Sequence, residues 1–189
     1  MISRNRITEL LFVLFLYISP VAAQWVQIWS DNNDTTVVWG FLVRNQTIFA
    51  GSQGSSISGT FRSTNNGSSW FPNNFGLPGN AIYSNSFATN DSMVFAATYA
   101  GVFRSKLSDT VWAFTGDGIS TGYSNNGIIN SNGNLFVVLS NASVFKSTNA
   151  GSTWSSASSG LPVNSANAHL FSESSNRLLL GSSLGVFES

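Results

Sequence analysis

Cysteine is absent from the 189 residues. If the chain is exported, it folds without disulfide staples and packing alone must hold it. A lipid anchor on a cysteine is excluded as well. Histidine occurs once, at His169, so no histidine-based metal cluster can form. Charge is scarce: 8% of residues are Asp, Glu, Lys or Arg, against about 25% in an ordinary domain. Solubility therefore rests on Ser, Asn, Thr and Gly. Composition of that kind can mean disorder. Here 42% hydrophobic and 13% aromatic residues argue for a buried core instead. After Ala23 no stretch of twelve residues has helical periodicity, so no glycine-rich phosphate loop opens a helix. No apolar run reaches the ~20 residues of a membrane-spanning helix.

The longest apolar run is LLFVLFLYI, residues 10–18. Arg4 and Arg6 precede it, Pro20 breaks it, and the small residues Ala22 and Ala23 follow. Basic start, apolar middle and small-residue end are the order of a secretory signal. The sequence predicts cleavage after Ala23, no stable membrane insertion afterwards, and a secreted or periplasmic chain over residues 24–189. That chain carries six basic and seven acidic residues, a net charge of about −1. It has no electrostatic footprint for nucleic acid or an anionic membrane.

Within it the text repeats. FRSTNNGSSW at 61–70 returns as FKSTNAGSTW at 145–154. Phe61, Phe103, Phe145 and Phe187 stand 42 residues apart, as do Trp70, Trp112 and Trp154. Gly76, Gly118 and Gly160 keep the step, followed by Leu77, Ile119 and Leu161. Self-similarity at such a period marks a tandem array. Each unit alternates short runs rich in Val, Ile, Phe and Thr with clusters of Asn, Asp, Gly and Ser, which is strand and turn grammar. In the second unit the strands are predicted at 81–89, 93–99, 101–106 and 110–115. Four short antiparallel strands per 42 residues predict an all-β fold, a β-propeller or partial propeller of about four four-stranded blades. One such sheet cannot bury both faces alone, but neighbours stacked around an axis cover each other. Ala50, Gly51, Ala96 and Ala97 suit the close approach of sheets in the apolar second strands.

The repeated stretch spans a third strand, a tight turn and the start of a fourth. Asn65 and Asn149 can accept backbone N–H bonds across the turn. Gly67 and Gly151 permit positive φ. Ser63 and Ser147 add hydroxyl bonds. Trp70 and Trp154 are expected to bury a ring between blades. Ser63, Asn65, Gly67, Ser69 and Trp70, and again Ser147, Asn149, Gly151, Thr153 and Trp154, fill the pattern Ser-x-Asp-x-Gly-x-Thr-Trp. This resembles the Asp-box of BNR-type propeller repeats, found in sortilin-type receptors, photosystem-assembly factors, some glycoside hydrolases and sialidases. Asn stands where that family usually has Asp, so the turn should survive while its charge, and with it a bound cation, is lost. The middle copy, SKLSDTVW at 105–112, has Leu107 for the acid and Asp109 for the glycine, so its turn must differ. In that family these turns are structural staples. The resemblance implies a propeller and does not by itself imply an enzyme.

The ends of the chain complement each other. QWVQIW at 24–29 reads as a fourth strand lacking its first three, and GVFES at 185–189 as a third strand lacking its fourth. Closure into a four-bladed ring is one reading. An incomplete array, prone to self-association, is the other, and the larger blade numbers of Asp-box relatives favour it.

A sialidase-like site is not expected. Arg62 and Arg104 share a repeat column with Lys146 and Glu188, while Arg44 and Arg177 both precede a second strand. Glycoside hydrolysis needs two carboxylates across a cleft. Asp91 reads as a hairpin-turn residue, Asp109 belongs to the degenerate turn, and Asp31, Asp34 and Asp117 fall in or beside links. Only Glu173 lacks a turn role. The expectation is a non-catalytic module for a protein or glycan ligand, without cofactor. The inserted loop at 51–59 is the best candidate surface. The alternative is a fragment of a carbohydrate-active enzyme whose catalytic residues lie outside this chain.

Overall fold

A computed structural model describes residues 37–54, 58–79, 83–119, 125–162, 170–174 and 177–189. The predicted signal segment, the strand-like residues 24–29, Asp31, Asp34 and His169 lie outside the described residues.

Every described element is a strand. Blade one holds β1 (Val37–Arg44), β2 (Thr47–Gln53), β3 (Gly59–Ser63) and β4 (Phe71–Pro72). Blade two holds β5 (Ser84–Thr89), β6 (Met93–Thr98), β7 (Gly101–Lys106) and β8 (Ala113–Phe114). Blade three holds β9 (Asn125–Ser131), β10 (Asn134–Leu139), β11 (Val144–Ser147) and β12 (Ser155–Ser156). Blade four has β13 (Leu170–Ser174), β14 (Arg177–Ser182) and β15 (Gly185–Glu188). Within each blade the strands pair in chain order and antiparallel, giving three four-stranded sheets and one three-stranded sheet. This is the all-β blade architecture predicted from the 42-residue period. The first strand of blade two is described from Ser84, residues 81–82 of the predicted strand lying outside the described residues, and each described fourth strand is reduced to two paired residues. In blades two and three the Trp before it, Trp112 or Trp154, is spent on contact with the preceding blade and takes no part in the ladder.

The second strands carry the core. Phe49, Phe95, Val94, Ala96, Ala97, Val137 and Val138 have no solvent exposure. Residues alternate faces along a strand, so a strand buried throughout must have a sheet on both sides. Ala50, Gly51, Ala96 and Ala97 are all buried, as close approach requires.

Three apolar clusters fill the three junctions between consecutive blades. Phe49 of blade one meets Phe87, Val94, Ala96, Phe103 and Trp112 of blade two. Ala88, Phe95, Ala97 and Val102 of blade two meet Ile128, Leu135, Val137, Leu139, Phe145 and Trp154 of blade three. The third cluster is thinner: Val138, Ala142 and Val144 meet Leu180, with Phe136, Leu161 and Phe187 at its margin. First strands line up in the same order, β1 against β5, β5 against β9 and β9 against β13, and no comparable contact joins β13 back to β1.

Candidate functional site: repeated turns and an aromatic rim

The two Ser-x-Asn-x-Gly turns are superimposable in their bonding. Ser63 Oγ donates to Asn65 Oδ1 at 2.9 Å and accepts from Gly67 N at 2.9 Å. Asn65 Oδ1 also accepts from Ser69 N, and Asn65 Nδ2 donates to Ser69 Oγ, both at 2.9 Å. Ser147, Asn149, Gly151 and Thr153 repeat each of these bonds at the same four distances. The residue before each glycine and the glycine itself both take positive φ: Asn66 56° and Gly67 85°, Ala150 53° and Gly151 80°. Every polar atom that a carboxylate would use is used here by the Asn carbonyl oxygen. The amide nitrogen adds a bond to a hydroxyl that a carboxylate could only receive from it.

The middle turn differs, as its sequence requires. Asp109 N donates to Lys106 O, and Asp109 Oδ1 accepts from Thr110 N at 2.7 Å. Its tryptophan is kept: Trp112 is 2% exposed.

The tryptophans join blades. Trp112 Nε1 donates to Asn73 O at 2.7 Å and Trp154 Nε1 to Thr115 O at 2.6 Å, in each case the link leaving the preceding blade. Trp70, by contrast, is only half-buried, because it belongs to blade one, whose outer face has no described neighbour. The glycine column serves the same contact. A Cβ on Gly76 would stand 2.1 Å from the backbone oxygen of Trp112, and one on Gly118 2.4 Å from that of Trp154.

A second pin was not legible as such in the sequence. Arg62 donates to the carbonyls of Asp109 (3.0 Å) and Leu107 (2.6 Å), and Arg104 to that of Ala150 (2.9 Å). The arginine after the third-strand phenylalanine of blades one and two therefore holds the turn of the next blade. The 42-residue column was visible, but its partners lie 45 to 47 residues on. The carboxylates stand on different elements. Asp91, in the β5–β6 turn, pairs with Arg44 at 3.3 Å, and Glu188 pairs with Arg177 at 2.5 Å. Asp117 is exposed and gives its backbone carbonyl to Trp154 N. Glu173 lies in β13. Among the described residues no group of three or more His, Asp or Glu comes together.

Opposite these turns lies the other rim, formed by the β2–β3, β6–β7, β10–β11 and β14–β15 hairpins and the links between blades. First strands enter it through bulges: the pairing skips Trp39, Asn85 and Asn126 at equivalent places. A bulge re-aims a side chain while the ladder on either side stays fixed. Trp39 is 59% exposed and donates from Nε1 to Gln53 Oε1 at 3.1 Å. On adjacent blade two, Tyr83 and Tyr99 meet edge to face at 5.9 Å between centroids, and Tyr99 is half exposed. Of the loop predicted at 51–59, residues 51–53 belong to β2, and the hairpin begins at Gly54, where Ser58 Oγ bonds both backbone groups of Gly54. Sequence reasoning passed over Trp39, Tyr83 and Tyr99 because none falls in a repeat column. That departure from the period is the signal that could have found them.

No described protein family matches the chain, and no curated protein matches it. Solved structures do. The extracellular domain of BT4673 from B. thetaiotaomicron superposes with a TM-score of 0.64 at 15% identity, over 80% of this chain and 20% of that one. YCF48 from Cyanidioschyzon merolae gives 0.62 at 11%, over 88% and 56%, and YCF48 has also been solved bound to D1 peptide, with a TM-score of 0.59 at 12% identity over 79% of this chain and 49% of that one. An ancestral GH74 enzyme gives 0.66 at 19%, over 81% and 25%. The chain thus spans less than two thirds of each. At these identities the likeness is one of fold: all are β-propellers, and so is this chain.

Proposed function

We propose that the chain is a non-catalytic, exported propeller module that binds a peptide or glycan on its hairpin rim. The rim carries the proposal: Trp39 with Gln53, and Tyr83 with Tyr99, present aromatic faces and polar edges on rigid blades. Aromatic rings with an amide beside them suit sugar faces and extended peptides, since they give contact area at little entropic cost. Two of the described carboxylates, Asp91 and Glu188, are engaged in ion pairs with arginines, which supports a binding role over hydrolysis by a facing pair. Export is supported by the basic, apolar, small-residue order of the first 23 residues. The serine–asparagine–glycine turns resemble Asp-boxes and serve here as staples at the opposite end of the blades.

The test is a binding screen of the purified chain against oligosaccharide and peptide panels, followed by Trp39→Ala and Tyr99→Ala. Both side chains are exposed, so the fold should be unchanged while affinity for the best ligand falls at least about tenfold, roughly 1.4 kcal/mol. Binding that ignores both substitutions would place the ligand elsewhere.

A second reading has one observation in its favour: the chain spans a quarter of the GH74 enzyme it superposes on. In that case it is part of a carbohydrate-active enzyme with catalytic carboxylates outside this chain. Hydrolysis of polysaccharide by a longer product of the same locus, absent from residues 24–189 alone, would establish it.

A further inference from the structure

Blade two departs from its neighbours at the hairpin rim. Gly116 belongs to a 42-residue column whose other members are Asn74 and Ser158. Asn74 Oδ1 accepts from Thr60 N at 2.7 Å, and Ser158 Oγ from Val144 N at 2.9 Å, so each side chain closes the start of a third strand. Gly116 has no side chain with which to close β7. The ring of Phe114 takes that space: a Cβ on Gly116 would stand 2.8 Å from it, and one on Gly101 2.7 Å. Phe114 stands where the neighbouring blades have Pro72 and Ser156. Its ring meets buried Phe103 edge to face at 5.5 Å between centroids, yet the residue remains 53% exposed. A capping bond is given up so that an aromatic ring can stand half in solvent against two glycines. A local rule broken for so little burial in return marks a functional position.

That ring ends a row. Tyr83 stands just before β5, Tyr99 in the β6–β7 hairpin and Phe114 in β8. Tyr83 and Tyr99 touch edge to face, and Tyr99 is 51% exposed. First strands pack against one another and fourth strands lie outermost, so the row runs from the inner strand of the blade to the outer one. Three strand spacings of about 4.8 Å give it a length of about 14 Å. The row crosses the ends of the strands and follows no sheet edge. A peptide that adds to a sheet lies along an edge strand and takes main-chain bonds from it. Here rings are presented in place of such a ladder. Charge is missing as well. The hairpins and links of this rim contain no Lys, Arg or Glu, and Asp117 is their one Asp. The described Arg and Lys residues all lie at turns of the opposite rim or in the strand halves next to them. Uncharged, exposed rings suit the C–H faces of neutral sugars, because the face of a ring is the negative side of its quadrupole. The tyrosine hydroxyls can both donate to and accept from sugar hydroxyls.

We propose that Tyr83, Tyr99 and Phe114 form the platform for a neutral glycan chain, which lies across blade two from its first strand to its fourth. This rests on the rim-binding reading above and narrows it to one ligand class and one direction. Phe114 holds the outer end of the chain, and Gly101 and Gly116 are positioning residues that seat its ring.

The test is isothermal titration of the purified chain with neutral gluco-, manno- and xylo-oligosaccharides of two to six units, with hexagalacturonate as the charged counterpart and with charged and uncharged decapeptides. A neutral hexasaccharide should bind at least tenfold more tightly than its disaccharide and than hexagalacturonate. Raising the salt concentration should not weaken it, since no charge pair is screened. Phe114→Ala should remove the gain with length and leave disaccharide affinity within about twofold. Gly116→Ser restores the side chain that blade three has at this place, so thermal unfolding should show an intact fold while the displaced ring costs the same gain. Peptide binding without glycan binding overturns the proposal and keeps the rim reading where Trp39→Ala and Tyr99→Ala weaken it. Preference for hexagalacturonate, affinity that does not grow with length, or a gain indifferent to both Phe114→Ala and Gly116→Ser also overturns the proposal. Binding of nothing in the panel overturns both readings.

Discussion

At the scale of single residues, the two asparagine turns act through acceptor geometry and not through charge. Asn149 Oδ1 accepts from Ser147 and from the Thr153 backbone. Asn149→Ala should therefore cost about 1–2 kcal/mol in unfolding free energy, near one net unit per lost bond. Asn149→Asp keeps both acceptors and lets the Thr153 hydroxyl donate, so it should fall within about 0.5 kcal/mol of wild type. A urea titration of both variants checks this, and equal destabilisation would mean that the charge matters. The glycine column offers a sharper contrast. Gly118 and Gly160 share positive φ, but only at Gly118 would a methyl group meet the Trp154 backbone. Gly118→Ala should cost more than about 4 kcal/mol. Gly160→Ala should cost only the left-handed backbone penalty of about 1–2 kcal/mol.

Elements are held to one another by parts that the ladder does not use. Trp154 lies just before β12, is 6% exposed, and binds blade two through its ring and its Nε1. Trp154→Ala should cost about 3–5 kcal/mol, as for other large core truncations. Arg104 reaches the turn of blade three, so Arg104→Ala should cost about 1–2 kcal/mol through a lost bond from a charged donor. Arg44→Ala, which removes an exposed pair with Asp91, should not change stability measurably, as is usual for surface pairs. Thermal unfolding of the three variants side by side ranks them, and an Arg44 effect as large as that of Arg104 would contradict the account. The strands themselves were largely legible from the sequence. Runs of Val, Phe and Ala set between Asn and Gly clusters located β6 and β7 to within a residue. The short fourth strands were not legible, because TVWAFT has strand-like residues throughout, and only the packing of Trp112 on blade one takes it out of the ladder.

For the whole molecule, the order of blades follows from the period, and the blades stack because each covers the next. Few charges contribute, so unfolding free energy should change little between low and moderate salt. A strong salt dependence would point to ion pairs that the described residues do not contain. The two end blades are the exception to mutual covering. Among the described residues, blade one leaves Phe41 72% exposed, and blade four has three strands.

The sequence by itself determined the period, the blade content, the turn chemistry and the apolar second strands. All of these are written in residues that recur at a fixed step or lie within one hairpin. Contacts of another kind required the tertiary structure. That Arg62 grips a carbonyl in the next blade, that Gly76 faces the Trp112 backbone, and that Trp39 and Tyr99 share a rim each depend on atoms brought together from different blades. The step of 42 residues says that such neighbours exist. Only the stacking and twist of the sheets decide which atoms of those neighbours touch.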